Sequence, residues 1–413
     1  MSNDSPPVTP LRGAVVLETD VNGLGAIRSL RSIRPTPPLV IGVDFTKSIG
    51  FHTRLCRVIA APPPHLDDGR PLCDFLLNLA NDIGGPLALF PCGDRTVRLV
   101  SKYRDDLSRF YHTLLAEPGQ IESLINKARF AELAECANAL TPRHAVVNPA
   151  VSAAAAAGLR FPIVAKPLNL DGNDPVKRVF KVRPFNTPGE WDIFFAHWKQ
   201  GGQVLIQERI EGDDTDICFY GGVWKNGSPI CGFTGRKIRQ QPNGHGSTVM
   251  ASCERIDDVK HLAEQFLQEI DFTGLCDVEY KRDRRDGRYY LIEVNPRQGQ
   301  WHQIGRLCGI DLIQAAYHAL SGLNPVWPEQ PNGCSGRWSY QFQDVARLVD
   351  DWRRGDFSLA RWMRPYMSLP QDGVFNWRDP RPWAMEFAEW TRNKLKSRFS
   401  REKVITSDLA QAT

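Results

Sequence analysis

Leu291-Ile292-Glu293-Val294-Asn295-Pro296-Arg297 is the stretch on which the reading of this chain turns. Side chains alternate across a strand, so Glu293, Asn295 and Arg297 share one face while Ile292 and Val294 occupy the other. Upstream, Leu275 to Lys281 reads as a second strand, joined to Tyr289 to Val294 by a turn around Asp286-Gly287. On that strand Asp277 and Glu279 share a face, and the hairpin can bring Glu279 beside Glu293. Two carboxylates and an amide oxygen are hard donors suited to Mg2+, which takes few protein ligands and keeps phosphate oxygens in its shell. Glu279, Glu293 and Asn295 are therefore candidate metal ligands, and Arg297 a candidate for neutralising a phosphoryl group in transfer. The alternative is a solvated strand face with charge pairs, which is the simpler account of Glu279 taken alone.

Working outward, the N-terminal region alternates strands with helices. Ala14 to Leu17 reads as a buried strand, Gly23-x-Gly25 opens a helix through Ile27 and Leu30, and further strands follow at Leu39 to Asp44 and Pro86 to Phe90. Such alternation implies a parallel α/β sheet with ligands at the carboxyl ends of its strands, where Asp20, Asn22 and Asp94 fall. Arg28 stands where a dinucleotide fingerprint has its third glycine, so a tight strand-to-helix turn explains the two glycines better than nicotinamide binding does.

From about residue 121 the pattern becomes mixed α and β. A helix is expected over Ile121 to Cys136, with strands at Ile163 to Lys166 and Val204 to Gln207. Asn148 and Pro149 should start, and Gly158 stop, a short helix through Ala153 to Ala157. Gln240 to Ser247, polar and glycine-containing, reads as a mobile loop after the strand around Cys231 to Phe233. Asp257 or Asp258 should cap a helix whose apolar face is Val259, Leu262, Phe266 and Ile270. Beyond residue 330 the chain is rich in tryptophan, arginine and proline, and Phe387 to Phe399 is expected to dock on the body rather than on a membrane.

Composition bounds the function classes. The 413 residues, 42% hydrophobic and 24% charged, fit a soluble globular protein of two or three domains. Net charge is +4, from 51 basic and 47 acidic residues, too balanced to argue for nucleic acid. The ten cysteines show no Cys-x-x-Cys spacing and read as reduced thiols in a cytoplasmic protein. Met1 to Pro10 lacks the basic and apolar regions of a secretion signal, and no run reaches the ~20 apolar residues of a membrane span.

Lys166, at the end of an apolar strand in Ala165-Lys166-Pro167, and Lys127, on a helix, would each pass for surface charge in isolation. In order, however, Asn126-Lys127 with Phe130, Ala165-Lys166-Pro167, Gln207-Glu208-x-Ile210-x-Gly212, Glu279 and Glu293-x-Asn295-Pro296-Arg297 resemble the ATP-grasp ligases, over about Lys127 to Arg297. The resemblance implies an ATP-grasp fold of mixed α/β and α+β class, with ATP and Mg2+ between two small lobes and Mn2+ as a substitute ion. It places Lys127 on the α-phosphate side and Lys166 near the β-phosphate and adenine edge. It sets Gln207, where many members have glutamate, against the adenine amino group, and the backbone of Glu208, Arg209 and Ile210 on the purine edge. Asp214 takes a ribose-binding position often held by glutamate, and the basic pair Arg236 and Lys237 faces the γ-phosphate or acyl phosphate.

Glu18 to Gly25, Pro91 to Asp94 and Leu124 to Lys127 are similar to the D-aspartate ligase branch. That branch implies small-molecule carboxylate and amine substrates, amino acids or a peptide among them, with a homodimer left open. The expected organisation is a Rossmann-like pre-ATP-grasp domain over 1–120, an ATP-grasp core over 121–330 and a C-terminal extension over 331–413. The expected chemistry is amide formation through an acyl phosphate, releasing ADP and phosphate. Phosphoryl transfer without ligation, a nicotinamide-dependent oxidoreductase and a non-catalytic nucleotide-binding regulator are the rivals.

Overall fold

The computed structural model describes residues 10–148, 158–168, 180, 182–198 and 202–393. The helix expected through Ala153 to Ala157 lies outside them, as does the tail beyond residue 393.

Strands β1 (Gly13–Leu17), β2 (Leu39–Asp44), β3 (Arg57–Ala60), β4 (Leu87–Pro91) and β5 (Tyr111–His112) form a five-stranded sheet of order β3-β2-β1-β4-β5, parallel throughout. β1 lies in the middle and is buried along its whole length, so it reads as an unbroken apolar run rather than an alternating one. Helices α1 (Val21–Arg31), α2 (Arg70–Ile83), α3 (Asp94–Lys102) and α4 (Arg104–Leu107) accompany it. A Cβ on Gly23 would come 2.0 Å from the Glu18 carbonyl oxygen, so that glycine lets α1 press against the end of β1. β3, a short and largely half-exposed edge strand, carries no alternating signal and was not anticipated.

The helix expected over Ile121 to Cys136 is in fact two, α5 (Pro118–Ile125) and α6 (Lys127–Cys136). Asn126 adopts extended backbone between them, and its side-chain oxygen accepts from the Ala128 and Arg129 amides at 3.0 and 3.2 Å. That cap fixes Lys127 as the first helical residue.

A four-stranded antiparallel sheet follows, β6 (His144–Val147), β7 (Ile163–Pro167), β8 (Arg183–Phe185) and β9 (Val204–Glu208), in the order β6-β9-β7-β8. With α7 (Pro188–His197) it encloses its own small core, including Ile163, Phe185, Trp191 and Ile206.

The largest sheet has seven strands in the order β14-β13-β10-β11-β12-β15-β16. They are β10 (Ile217–Lys225), β11 (Ser228–Gln241), β12 (Ser247–Cys253), β13 (Gly274–Arg282), β14 (Tyr289–Asn295), β15 (Arg337–Ser339) and β16 (Gln371–Asp372). Its cores run into those of the parallel sheet: Val16, Leu24 and Ile27 share one cluster with Phe219, Phe233 and Trp301. The four-stranded lobe, with a separate core, stands across a cleft from that combined body.

Three local expectations are corrected. Helix α8 (Asp257–Glu269) has Ile256, in extended backbone, at its N-cap, and the two aspartates occupy the first turn, where they favour the helix dipole. Gln240 and Gln241 belong to β11, so the expected loop shrinks to the tip of the β11–β12 hairpin, tied down where the Gly244 amide donates to Asp214. Cys253 and Cys308 are joined as a disulfide rather than standing as reduced thiols.

The C-terminal region joins the large sheet. β15 pairs antiparallel with β12 and β16 parallel with β15. Helices α9 (Leu312–Leu320), α10 (Gln341–Arg353) and α11 (Leu359–Met363) complete this side. Asp344 of α10, fully buried, is held at 2.6 and 2.7 Å by the Arg239 guanidinium of β11. The helix over 381–393 sets Trp383 and Phe387 against Phe342 of α10.

Candidate active site

The cleft between the four-stranded lobe and the body is a cavity of about 400 Å3. One wall is the β13–β14 hairpin. Asp277 pairs with Asn295 and Glu279 with Glu293, so the alternation of both strands aims all four side chains at the same space. Burial pushes the Asp277 carboxyl well up, with Glu279 adding to it, and its Oδ1 is buried without a hydrogen-bond partner. Burial raises the Glu279 carboxyl too, against the pull of Lys237, whose Nζ lies 2.7 Å from Glu279 Oε2. For Glu293 burial is outweighed by Lys127, Lys237 and Lys166, which bring it down to about 2. An orphaned carboxylate oxygen beside two carboxylates and an amide oxygen is a hard-donor set, and the residues present fit Mg2+.

The cations come from several elements. Lys127 Nζ, at the start of α6, is 3.9 Å from Glu293 Oε2. Lys166 reaches in from β7, its ammonium brought down to about 8 by burial and then by Lys127. Arg297 Nε donates to Asp94 Oδ1 at 2.5 Å and its Nη2 to Asn295 Oδ1 at 3.3 Å. Burial works against the Arg297 charge, and Asp94 more than restores it. Asp94 opens α3 at the carboxyl end of β4, so the parallel sheet contributes directly to the cleft, as do Asp20 and Asn22.

Gln207, Glu208, Arg209 and Ile210 line the cleft where β9 ends. The Glu208 and Arg209 amides donate to Arg143 and Pro162 carbonyls at 2.8 and 2.9 Å, so a purine edge would meet other backbone groups of this segment.

Two expected site residues face elsewhere. Arg236 and Lys237 are neighbours on β11, so they point to opposite faces; Lys237 enters the cleft, while Arg236 binds Glu254 at 3.0 Å and the Thr215 carbonyl at 2.9 Å. Asp214 is not among the cleft walls. Its oxygens accept from the Gln240 amide, the Gln240 side chain, Gly244 and Arg347 at 2.8 to 3.0 Å, which makes it the anchor of the hairpin tip.

Other cleft residues escaped the sequence reading as site members. Asp277, Lys281 and Gln240 line it, with Trp301, whose ring packs at a tilt against Phe219. Period-two alternation had already set Asp277 on the face of Glu279, and carried one step further it gives Lys281. Gln240 and Trp301 arrive through the hairpin and a 3-10 turn, His302–Cys308, that no short pattern marks.

Known proteins agree with this architecture. A family model described as carbamoyl-phosphate synthase L chain, ATP binding domain, matches residues 247–324. D-aspartate ligase from Enterococcus faecium is 24% identical over 61% of this chain and 63% of its own length. D-alanine–D-alanine ligase from Xylella fastidiosa is 26% identical over 41% of this chain and 53% of that protein. The matches thus span less than two thirds of either relative. An N5-carboxyaminoimidazole ribonucleotide synthetase in its ADP complex superposes with a TM-score of 0.63 at 12% identity, covering 83% of this chain and 86% of that one. The biotin carboxylase domain of Hydrogenobacter thermophilus 2-oxoglutarate carboxylase, with MgADP and bicarbonate, gives 0.60 at 15% identity over 80% of this chain and 74% of that one. Among the described residues no helix is long and apolar enough to cross a membrane. With the two-lobed cleft, the carboxylate hairpin and the lysines of α6 and β7 in the expected order, the chain has the ATP-grasp fold.

Proposed function

We propose that this protein is a cytoplasmic ADP-forming ligase that activates a small carboxylate, an amino acid in the first instance, as an acyl phosphate and joins it to an amine. The observation that carries this reading is the register of Asp277 with Asn295 and of Glu279 with Glu293, which sets hard oxygen donors beside Arg297 and three lysines. The ligase relatives support the chemistry, and their small-molecule substrates support the substrate class.

Glu279, Glu293 and Asn295 would hold Mg2+, which when bound supplies charge neutralisation at the phosphates. Lys127 and Lys166 bind phosphate oxygens, and Gln207 with the backbone at Glu208 to Ile210 receives the adenine. Arg297, held in place by Asp94, donates to the phosphoryl oxygens as charge develops, and Lys237 turns between Glu279 and the acyl phosphate. Asp20 and Asn22 lie on the body side of the cleft, where a cationic amine would be met by carboxylate and amide oxygens. The hairpin tip at Gly244 to Ser247 lines the same space and restricts water.

With the right acid, MgATP and hydroxylamine in place of the amine, the protein should form a hydroxamate and ADP. Detection is by the ferric-hydroxamate colour and by nucleotide chromatography. AMP with pyrophosphate would mean an adenylate, and a phosphorylated product stable to hydroxylamine would mean phosphoryl transfer without ligation.

The Lys166 ammonium, down at about 8, gives ATP affinity a pH dependence. Below that value the lysine is charged and meets the phosphates; above it, binding must first recruit a proton. Affinity should fall by roughly tenfold or more between pH 7.5 and 9.5, since one pKa unit corresponds to a factor of ten. Calorimetric titration at both pH values measures this, and Lys166→Gln should flatten the profile. An unchanged slope in that variant assigns the dependence to another group.

A further inference from the structure

The cysteines of this chain have no spacing that marks a site, yet the fold gathers three of them, none among the cleft walls. Cys253 ends β12, Cys308 ends the 3-10 turn His302–Cys308, and Cys334 lies in the segment entering β15. Their sulfurs all lie within 4.8 Å of one another. Three strands of chain, separated by many residues, thus converge through sulfur.

A disulfide accounts for two of these sulfurs and leaves the third without a role. The Cα atoms of Cys253 and Cys308 are 7.6 Å apart, wider than the ~7 Å beyond which a bridge needs backbone movement. Sulfurs within 4.8 Å of one another can also close as thiolates around an ion, since zinc–sulfur bonds of ~2.3 Å in tetrahedral array put sulfurs nearly 4 Å apart. A cluster of this size closes on a metal through small side-chain rotations.

The surroundings are those of a built site. Cys253 is fully buried and Cys308 nearly so, while Cys334 is half-buried and gives the cluster an open side. The Gln330 amide Nε2 donates to Cys253 Sγ at 3.3 Å, a contact that would stabilise a thiolate and orient it. Gln330 is itself fixed, its Oε1 accepting from the Thr234 amide at 2.8 Å and its Nε2 donating to the Thr234 carbonyl at 3.0 Å. The Cys253 amide donates to the Gly336 carbonyl at 2.7 Å, which locks the end of β12 to the segment that carries Cys334.

We propose that in the reduced protein Cys253, Cys308 and Cys334 bind one thiophilic divalent ion of the zinc class, with the fourth position open beside Cys334. The disulfide and the metal-bound form are alternatives for the same sulfurs. The ion would clamp β12, the approach to β15 and the 3-10 turn whose N-cap, Trp301, lines the cleft. This site takes sulfur-loving ions and leaves Mg2+ to the carboxylates, so it stands whether or not the ligase reading does.

The test is a titration of the full-length protein, kept reduced with a phosphine, with Co2+ and then Zn2+. A thiolate-to-cobalt charge-transfer band should saturate at one equivalent and disappear on adding zinc. Cys334→Ser should weaken cobalt binding by more than about 100-fold, since even outer-shell partners are worth up to that much, with the circular dichroism spectrum unchanged. Cys136→Ser, which alters an exposed thiol elsewhere, should titrate like the parent. A parent protein without the band, a Cys253–Cys308 bond that survives the phosphine, or equal binding by Cys334→Ser and the parent would each overturn the proposal.

Discussion

Arg297→Ala is expected to slow turnover by roughly 100- to 1000-fold, the usual loss when a donor aimed at developing charge is removed, while ATP affinity changes far less. The guanidinium is half-buried in the cleft wall and held by Asp94 at 2.5 Å, so it is oriented before substrate arrives and spends little reorganisation during phosphoryl transfer. Arg297→Lys should recover only part of the rate. A planar fork can hold Asp94 and phosphoryl oxygens at once, whereas an ammonium is a single point of charge. Steady-state kinetics with ATP and the acid varied separately measure the division. A rise in KM with kcat intact would make Arg297 a binding residue.

Glu293→Gln should remove most turnover with saturating magnesium. The change keeps shape and volume but takes away a carboxylate that three lysines hold ionised, its pKa brought to about 2. Glu293 is therefore held as a carboxylate at neutral pH, and the uncharged glutamine amide cannot replace that charge. Asn295→Ala should act similarly through the amide oxygen across from Asp277. Isothermal titration with ATP alone separates the effects, since ATP binding through the lysines should survive. Normal turnover in both variants would remove the metal assignment.

How much of this was legible depended on what kind of constraint each residue answers to. The hairpin was read correctly because alternation and register are local: once Leu275 to Lys281 and Tyr289 to Val294 are strands, Glu279 must meet Glu293. The same rule, applied to β11, would have shown that Arg236 and Lys237 cannot both enter the cleft. Asp214 lies outside the cleft walls for a different reason. Its partners Gln240 and Arg347 are distant in sequence, and nothing near it announces that its carboxylate is already committed. The break between α5 and α6 was missed because Asn126, read there as one term of a motif, is also a cap. The cysteine cluster was invisible because its members meet only through tertiary packing.

The pairing of β15 with β12 has a consequence for anyone wishing to trade parts between relatives. A chain cut near residue 330 would lay bare the β12 edge and strip Arg239 and Asp214 of Asp344 and Arg347. An open sheet edge invites association with other copies, and buried charges without partners are strongly destabilising. Residues 331–393 are accordingly no cassette that can be swapped or discarded: they and the β11–β12 hairpin would have to be exchanged together, as one inherited unit.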